Sequence, residues 1–123
     1  MNKHMLHEKH DFIDMRELIE WAAKEHSGKF AYSYRPAPNK NEVTRITFGE
    51  LRDDVRAMTT KLLAMGCAGK HCAVIGKLSY EWALMYFSIL AANGVIVPLD
   101  RDWHADELAK TAKKADVEFL FTD

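Results

Sequence analysis

The sequence of 123 residues has few cysteines, no excess of one charge and no apolar run long enough for a membrane helix. Its two cysteines, Cys67 and Cys72, are too few for a disulfide framework. Their spacing also lacks the Cys-x-x-Cys pairs and companion histidines that are typical of metal sites. We therefore expect two buried or half-buried free thiols.

Charge and hydropathy exclude two classes of partner. The chain carries 17 Lys and Arg against 18 Asp and Glu, and this balance argues against nucleic acid as a main partner. The apolar run ending at Ala92 is shorter than the roughly 20 residues that a bilayer-spanning helix needs. Charged and imidazole side chains between His4 and Asp11 interrupt the place where the apolar part of a signal peptide would lie, so we expect the cytoplasm.

A strand–helix–strand pattern between His71 and Asp100 is the clearest structural signal. Cys72–Ile75 is a short apolar run, and Ser79 can cap a helix over Tyr80–Ala92. Gly94 follows that helix, and Val95–Val97 is β-branched throughout. Two apolar strands joined by an apolar helix predict a right-handed βαβ unit with a parallel sheet.

The preceding segment predicts a helix and a hairpin. Asp11 can cap a helix over Phe12–His26, whose apolar face would contain Phe12, Met15, Ile19 and Ala22. Strands over Lys29–Arg35 and Val43–Phe48 flank a loop with two prolines, and we expect them to pair as an antiparallel hairpin.

A second helix should begin directly after this hairpin. Thr47 and Glu50 match a capping box, and Gly66 stands where a left-handed C-cap residue belongs. The helix between them carries a regular apolar stripe, namely Leu51, Val55, Met58, Leu62 and Met65.

The last predicted elements are a helix over His104–Ala115 and a strand over Val117–Phe121. Together the elements predict an α/β fold with a partial doubly wound parallel sheet, an N-terminal helix and a β-hairpin. Such a thin sheet leaves edges exposed, so we interpret residues 1–123 as an incomplete N-terminal subdomain that could self-associate through an exposed sheet edge. Residues 1–11 are polar, and we expect a disordered tail there.

Phosphate binding is the first chemistry to weigh. Gly76 lies between a strand and a helix, where free amides can bind an anion. No G-x-G-x-x-G is present, and neither Gly69-Lys70 nor Gly76-Lys77 completes a P-loop pattern. A tight strand-to-helix turn is the favoured interpretation.

The remaining candidate groups also have plain structural explanations. His4, His7 and His10 recur every third residue but lack acidic or cysteine co-ligands. His26, His71 and His104 have no visible nucleophile, and Ser79 is not on a nucleophile elbow. Helix capping best explains the acidic group Asp100, Asp102, Asp106 and Glu107. Core packing best explains the aromatic group Trp82, Tyr86 and Phe87. A solvated helix face best explains the basic group Lys110, Lys113 and Lys114.

Two sequence motifs resemble those of adenylate-forming enzymes, the AMP-dependent synthetase/ligase superfamily. Ile46–Leu51 (ITFGEL) is similar to the "(L/I)-T-(Y/F)-x-E-L" opening of that family. Leu90–Asp100 (LAANGVIVPLD) resembles its "L-(K/A)-A-G-(A/G)-x-x-V-P-(L/I)-D" motif, with Asn93 in place of a usual glycine. Within that superfamily, the sequence of these motifs is most similar to long-chain fatty acid-CoA ligases.

The resemblance implies an ATP-dependent activation of a carboxylic acid to an acyl-adenylate, followed by transfer to coenzyme A, with Mg²⁺ assisting the first step. The family residues that bind ATP, Mg²⁺ and CoA have no match here, so we assign no catalytic, cofactor-binding or metal-binding residue and expect this segment alone to be inactive. Two alternatives stay open: a stand-alone α/β binding module, and an adenylation domain that loads an amino or aryl acid onto a carrier protein.

Overall fold

The computed structural model describes residue 6 and residues 8–123, which form an α/β fold. Helix α1 (Met15–His26) is followed by strands β1 (Phe30–Tyr34) and β2 (Thr44–Thr47), helix α2 (Phe48–Met65), strand β3 (His71–Ile75), helix α3 (Tyr80–Ala91), strand β4 (Val95–Leu99), helix α4 (Ala105–Lys114) and strand β5 (Val117–Thr122). The predicted fold class is confirmed.

The five strands of the described residues form two separate sheets. Strands β1 and β2 pair antiparallel, as the predicted hairpin requires. Strands β4, β3 and β5 form a parallel sheet in that spatial order. The β3–α3–β4 crossover runs one way along the sheet, and the β4–α4–β5 crossover runs back past β3. Because such crossovers are right-handed, these opposite directions place α3 and α4 on opposite faces, which is the doubly wound arrangement.

Helix α2 begins and ends as its sequence predicts. The Thr47 hydroxyl accepts a hydrogen bond from the Glu50 amide at 3.1 Å, and the Glu50 carboxylate accepts one from the Thr47 amide at 3.4 Å. Gly66 ends the helix with φ of 89°, a left-handed conformation that glycine adopts without strain. The predicted stripe is buried at Leu51, Val55 and Leu62.

Two predictions about helix α1 and the stripe of α2 are corrected. Helix α1 begins at Met15 and not at Phe12, because Asp14, rather than Asp11, caps it by accepting a hydrogen bond from the Glu17 amide at 2.9 Å. Met65 is 45% exposed, since it is the last helical residue and extends past the packed part of α2.

The end of helix α3 also differs from prediction. The helix ends at Ala91, and the chain turns at Asn93, whose φ is 59°, before Gly94. Asparagine is among the few residues other than glycine that adopt this conformation routinely. The departure from the family glycine at this position is therefore compatible with the turn.

The core has two parts that share helices α2 and α3. One part lies between these helices and the parallel sheet and contains Leu62, Cys67, Cys72, Val74, Ile89 and Ala92. The other lies between α1, α2, α3 and the hairpin and contains Ile19, Leu51, Val55, Tyr80 and Ala91. Glu81 is the only residue of helix α3 in the exposed class, and the apolar residues of this helix are buried or half-buried. The exposed apolar side chains include Leu78, Trp103 and Leu120.

Within the described residues, no helix is long and apolar enough to cross a membrane. The predicted tail at residues 1–11 falls partly outside the described residues. Of that tail, His10 packs on Trp21 with ring centroids 4.8 Å apart.

Candidate functional site

The carboxyl ends of β3 and β5 are the natural place for a ligand in this topology. The chain leaves β3 toward β4 on one side and returns to β5 on the other, and ligands of open α/β sheets bind at such a switch point. A cleft of ≈ 140 Å³ lies there. Its lining comes from the end of β3, the start of α3 and the end of β5, and includes Gly76, Lys77, Ser79, Trp82, Phe121 and Asp123.

Short-range hydrogen bonds fix the geometry of this cleft. The Asp123 carboxylate accepts a hydrogen bond from the Lys77 amide at 3.3 Å. A Cβ at Gly76 would lie 3.4 Å from the Asp123 carboxyl carbon, so the turn brings backbone and carboxylate into contact. Ser79 starts α3 as predicted, because its hydroxyl accepts a hydrogen bond from the Trp82 amide at 3.2 Å.

This arrangement does not suit the phosphates of a nucleotide. The Asp123 carboxylate is held against the turn at Gly76 and Lys77, where an anion would have to bind. A second negative group so close would be repelled. The residues present therefore do not fit ATP, and the tight-turn interpretation of Gly76 agrees with this geometry.

The described histidines take part in packing and backbone contacts. His71 places Nδ1 2.7 Å from the Ala115 carbonyl and so ties the start of β3 to the end of α4. His26 packs between Trp21 and Phe48. His104 precedes α4 without a side-chain capping bond. His4 and His7 lie outside the described residues, and within the described part no group of three or more His, Cys, Asp or Glu could hold a metal ion.

The acidic cluster after β4 serves the local backbone. Asp100 accepts a hydrogen bond from the Asp102 amide at 2.9 Å, and Asp106 and Glu107 occupy the first turn of α4. Lys113 and Lys114 occupy its last turn, so both helix ends complement the macrodipole as predicted. All these side chains are exposed.

Aromatic and sulfur side chains fill the core. Trp82 stacks on Tyr86 with centroids 5.4 Å apart and packs against the sheet-side core, and Phe87 packs on the helical side. Cys67 and Cys72 are free and buried, which confirms that prediction. Burial, together with the neighbouring Cys67 thiol, raises the pKa of Cys72 to about 11, so its thiol stays protonated and inert near neutral pH.

Two polar contacts between helices escaped the sequence analysis. The Tyr80 hydroxyl donates a hydrogen bond to Asp54 at 2.5 Å, and Arg56 donates two bonds of 2.6 Å to Glu20. Each contact joins residues on different helices, 26 and 36 positions apart in the sequence, so no local sequence pattern predicts it.

The comparison with protein families gives one match. The family model described as "AMP-binding enzyme" matches residues 19–123. This range contains both motifs on which the resemblance depends.

Curated relatives are acyl-CoA ligases. Over 81 residues, or 65% of this chain, the sequence is 32% identical to the mitochondrial medium-chain acyl-CoA ligase ACSF2 of Pongo abelii. Over the same length it is 28% identical to the long-chain-fatty-acid–CoA ligase FadD15 of Mycobacterium bovis. The chain spans only 13% and 14% of the length of these relatives.

Solved structures share the fold at low sequence identity. The N-terminal subdomain of NpsA from Klebsiella oxytoca superposes with a TM-score of 0.79 at 15% identity and covers 89% of this chain and 27% of its own. The N-terminal domain of FACL13 from Mycobacterium tuberculosis gives a TM-score of 0.75 at 15% identity, over 89% of this chain and 26% of its own.

Proposed function

The chain belongs to the AMP-binding enzyme family, and on that premise we propose that it is the N-terminal structural segment of an AMP-forming acyl-CoA synthetase. The family match over residues 19–123 carries the proposal. The parent enzyme would activate a carboxylic acid, in particular a fatty acid, with ATP and Mg²⁺ and transfer the acyl group to CoA. Ligases named for medium-chain and long-chain acids among the relatives support this substrate class.

In this proposal the segment contributes framework and no chemistry. Its parallel sheet supplies the strands β4, β3 and β5. In its cleft the Ser79 hydroxyl caps α3 and the Asp123 carboxylate binds the Lys77 amide, so both groups serve the local backbone. The cleft also does not fit ATP phosphates, because the Asp123 carboxylate lies against the turn where they would have to bind. Catalytic and cofactor-binding groups would come from other parts of the parent protein.

An ATP–pyrophosphate exchange assay tests this division of labour. The 123-residue chain, with a fatty carboxylate and Mg²⁺, should give no exchange above background, whereas the product of the complete reading frame should exchange. Exchange by the 123-residue chain alone would overturn the structural role. A reading frame that stops after Asp123 would instead favour the stand-alone binding module.

The carrier-protein alternative differs in the acid and in the acceptor. Adenylation domains of peptide synthetases such as FmoA3 share this fold at 19% identity, which supports the fold but not the substrate. The curated acyl-CoA ligases are more similar in sequence. Formation of acyl-CoA from free CoA by the complete product supports the ligase proposal, and acylation of a carrier protein without acyl-CoA formation supports the alternative.

Self-association and location complete the proposal. Strand β5 is an unpaired edge of the described sheet and exposes 56% of Leu120, so we expect it to associate with another strand. Light scattering at rising concentration would measure this self-association for the isolated chain.

The free buried thiols favour the cytoplasm as the location. Because the relative ACSF2 is named as mitochondrial, imaging of a fluorescent fusion should decide between the two compartments.

A further inference from the structure

The turn after helix α3 contains the one Asn-Gly pair of the sequence, at Asn93 and Gly94. Asparagine is among the thermolabile residues. A following glycine makes it more labile, because a residue without Cβ leaves its backbone nitrogen unshielded and free to rotate. Glycine, which the family motif usually has at position 93, carries no side-chain amide. The reactive pair is therefore a feature of this chain.

The reaction of such a pair is an intramolecular deamidation. The Gly94 nitrogen attacks Cγ of the Asn93 side chain, the new N–Cγ bond closes a succinimide ring, and the Cγ–Nδ2 bond breaks. Ammonia leaves with the proton that the Gly94 nitrogen gives up. Water then opens the ring at Cγ, which gives aspartate, or at the backbone carbonyl carbon of Asn93, which gives isoaspartate. Water is the only co-reactant.

A hydrogen bond of the turn holds the Gly94 nitrogen away from this reaction. The Gly94 amide donates to the Ile89 carbonyl oxygen at 2.9 Å, and Ile89 is fully buried. A nitrogen that donates to a carbonyl of α3 cannot at the same time lose its proton and turn toward the Asn93 side chain. Ring closure therefore requires that this hydrogen bond break first.

The turn is also tied to the loop that precedes β3. The Gly69 amide donates to the Asn93 carbonyl oxygen at 2.9 Å, and the Val95 amide donates to the Lys70 carbonyl oxygen at 2.8 Å. These bonds continue directly into the ladder of β3 and β4, which starts at the pair His71 and Val95. Because β3 is the central strand of its sheet, the turn should open only together with a large part of the fold.

From this geometry we propose that Asn93 and Gly94 form a deamidation site that the fold keeps closed and that reacts when the turn opens. Asn93 is exposed, so water has access to the ring once it has formed. The chemistry needs only this turn and water, and it is independent of the reaction of the parent enzyme.

The two products should differ in their ability to refold. Aspartate, like asparagine, adopts left-handed backbone angles routinely, so it suits the φ of 59° at position 93. Isoaspartate inserts one methylene group into the main chain directly before Gly94. Close contacts with Ile89 and Cys67, which are both fully buried, fix the position of Gly94. Chains with isoaspartate should therefore fail to refold.

Peptide mapping of the full chain by mass spectrometry tests the proposal. The tryptic fragment of residues 78–101 contains Asn93 and no other asparagine or glutamine, so its conversion to the acid reports this site alone. In guanidinium chloride we expect Asn93 to deamidate faster than Asn39 and Asn41, which precede lysine and glutamate. In buffer at the same pH and temperature, the rate at Asn93 should fall at least about tenfold, because the turn is closed. Methylation by an isoaspartyl methyltransferase identifies the isoaspartate product.

The variant Gly69→Ala tests whether the turn is the gate. Gly69 has a φ of 73°, so a side chain there strains the loop that holds Asn93. We expect the rate at Asn93 in buffer to rise at least about fivefold, whereas the rate in guanidinium chloride should stay unchanged. Gly28→Ala is the matched control, because its added methyl would meet no atom within 4 Å, and it should change neither rate.

Each part of the proposal can fail separately. Equal rates at Asn93 in buffer and in guanidinium chloride would overturn the closed turn. A rate in guanidinium chloride no higher than at Asn39 and Asn41 would overturn the reactive site. Isoaspartate in the refolded fraction, in the same proportion as before refolding, would contradict the block to refolding. If Gly69→Ala does not fold by circular dichroism, the wild-type comparison of buffer with guanidinium chloride decides alone.

Discussion

Tyr80 and Asp54 join the start of helix α3 to helix α2 through a hydrogen bond of 2.5 Å between the phenol and the carboxylate. Tyr80 is only 8% exposed and also contacts Tyr32 edge-on at 5.5 Å, so it links the hairpin and two helices. Burial, and then the hydrogen bond to Asp54, raise the pKa of the Tyr80 phenol above its ordinary value. The protonated phenol is therefore the form that the fold requires.

Removing the Tyr80 hydroxyl should weaken the fold. We expect Tyr80→Phe to lower the free energy of unfolding by about 1–2 kcal/mol, because a hydrogen bond to a charged acceptor is lost while Asp54, which is exposed, can bind water instead. Tyr86→Phe on the same helix is the matched control, since the Tyr86 hydroxyl makes no hydrogen bond within the described residues, and it should change stability by less than about 0.5 kcal/mol. Urea denaturation of both variants provides the measurement, and equal losses would contradict the role of the Asp54 contact.

Alkaline pH should expose the cost of ionising Cys72. Its pKa is about 11 in the fold against an ordinary value of 9.0, so the folded chain holds this proton more tightly than the unfolded chain does. The stabilisation is therefore fully present below pH 9 and is lost as the pH rises toward 11. The free energy of unfolding measured between pH 8 and 11 should fall less steeply for Cys72→Ala than for wild type. Parallel pH profiles for the two proteins would exclude this contribution of Cys72.

Local sequence signals predicted most of the fold. The capping box at Thr47, the left-handed position at Gly66 and the β-branched run that forms β4 each act within a few residues, and the structure places them as expected. The predicted start of α1 was wrong because Asp11 and Asp14 can both cap a helix. Only the hydrogen bond that the Glu17 amide donates to Asp14 distinguishes them. A sequence pattern alone does not decide between two such neighbours.

The surface features depended on long-range packing that the sequence does not display. The ion pair between Glu20 on α1 and Arg56 on α2 joins residues 36 positions apart in the sequence. The carboxylate of Asp123 reaches the turn at Gly76 across 46 residues of sequence. Periodicity reveals which face of a helix is apolar, but not which charged side chains meet across two helices.

The capping box of α2 offers a direct test of one family-like motif. Thr47→Ala removes the hydroxyl that accepts the Glu50 amide hydrogen bond and should destabilise the chain by about 1 kcal/mol. Thr60→Ala on the same helix removes a hydroxyl that bonds only to the Arg56 carbonyl one turn earlier, and it should be neutral or slightly stabilising because alanine is the better helix former. Thermal denaturation should separate the two variants, and an unaffected Thr47→Ala protein would show that the cap contributes nothing.

Gly94 should tolerate no side chain, because the backbone after α3 passes too close to its neighbours. A Cβ there would lie 2.9 Å from Ile89 Cγ2 and 3.3 Å from the Cys67 carbonyl oxygen, and both residues are fully buried. Gly94→Ala must therefore displace the core between α3 and the sheet, and we expect a loss of about 1–3 kcal/mol in the free energy of unfolding. Gly28→Ala is the control, since its added methyl would meet no atom within 4 Å, and it should change stability little or raise it slightly. If both alanine variants unfold at the same urea concentration as wild type, the close approach at Gly94 does not constrain the fold, and the small residue at this position of the LAANGVIVPLD motif would need another explanation.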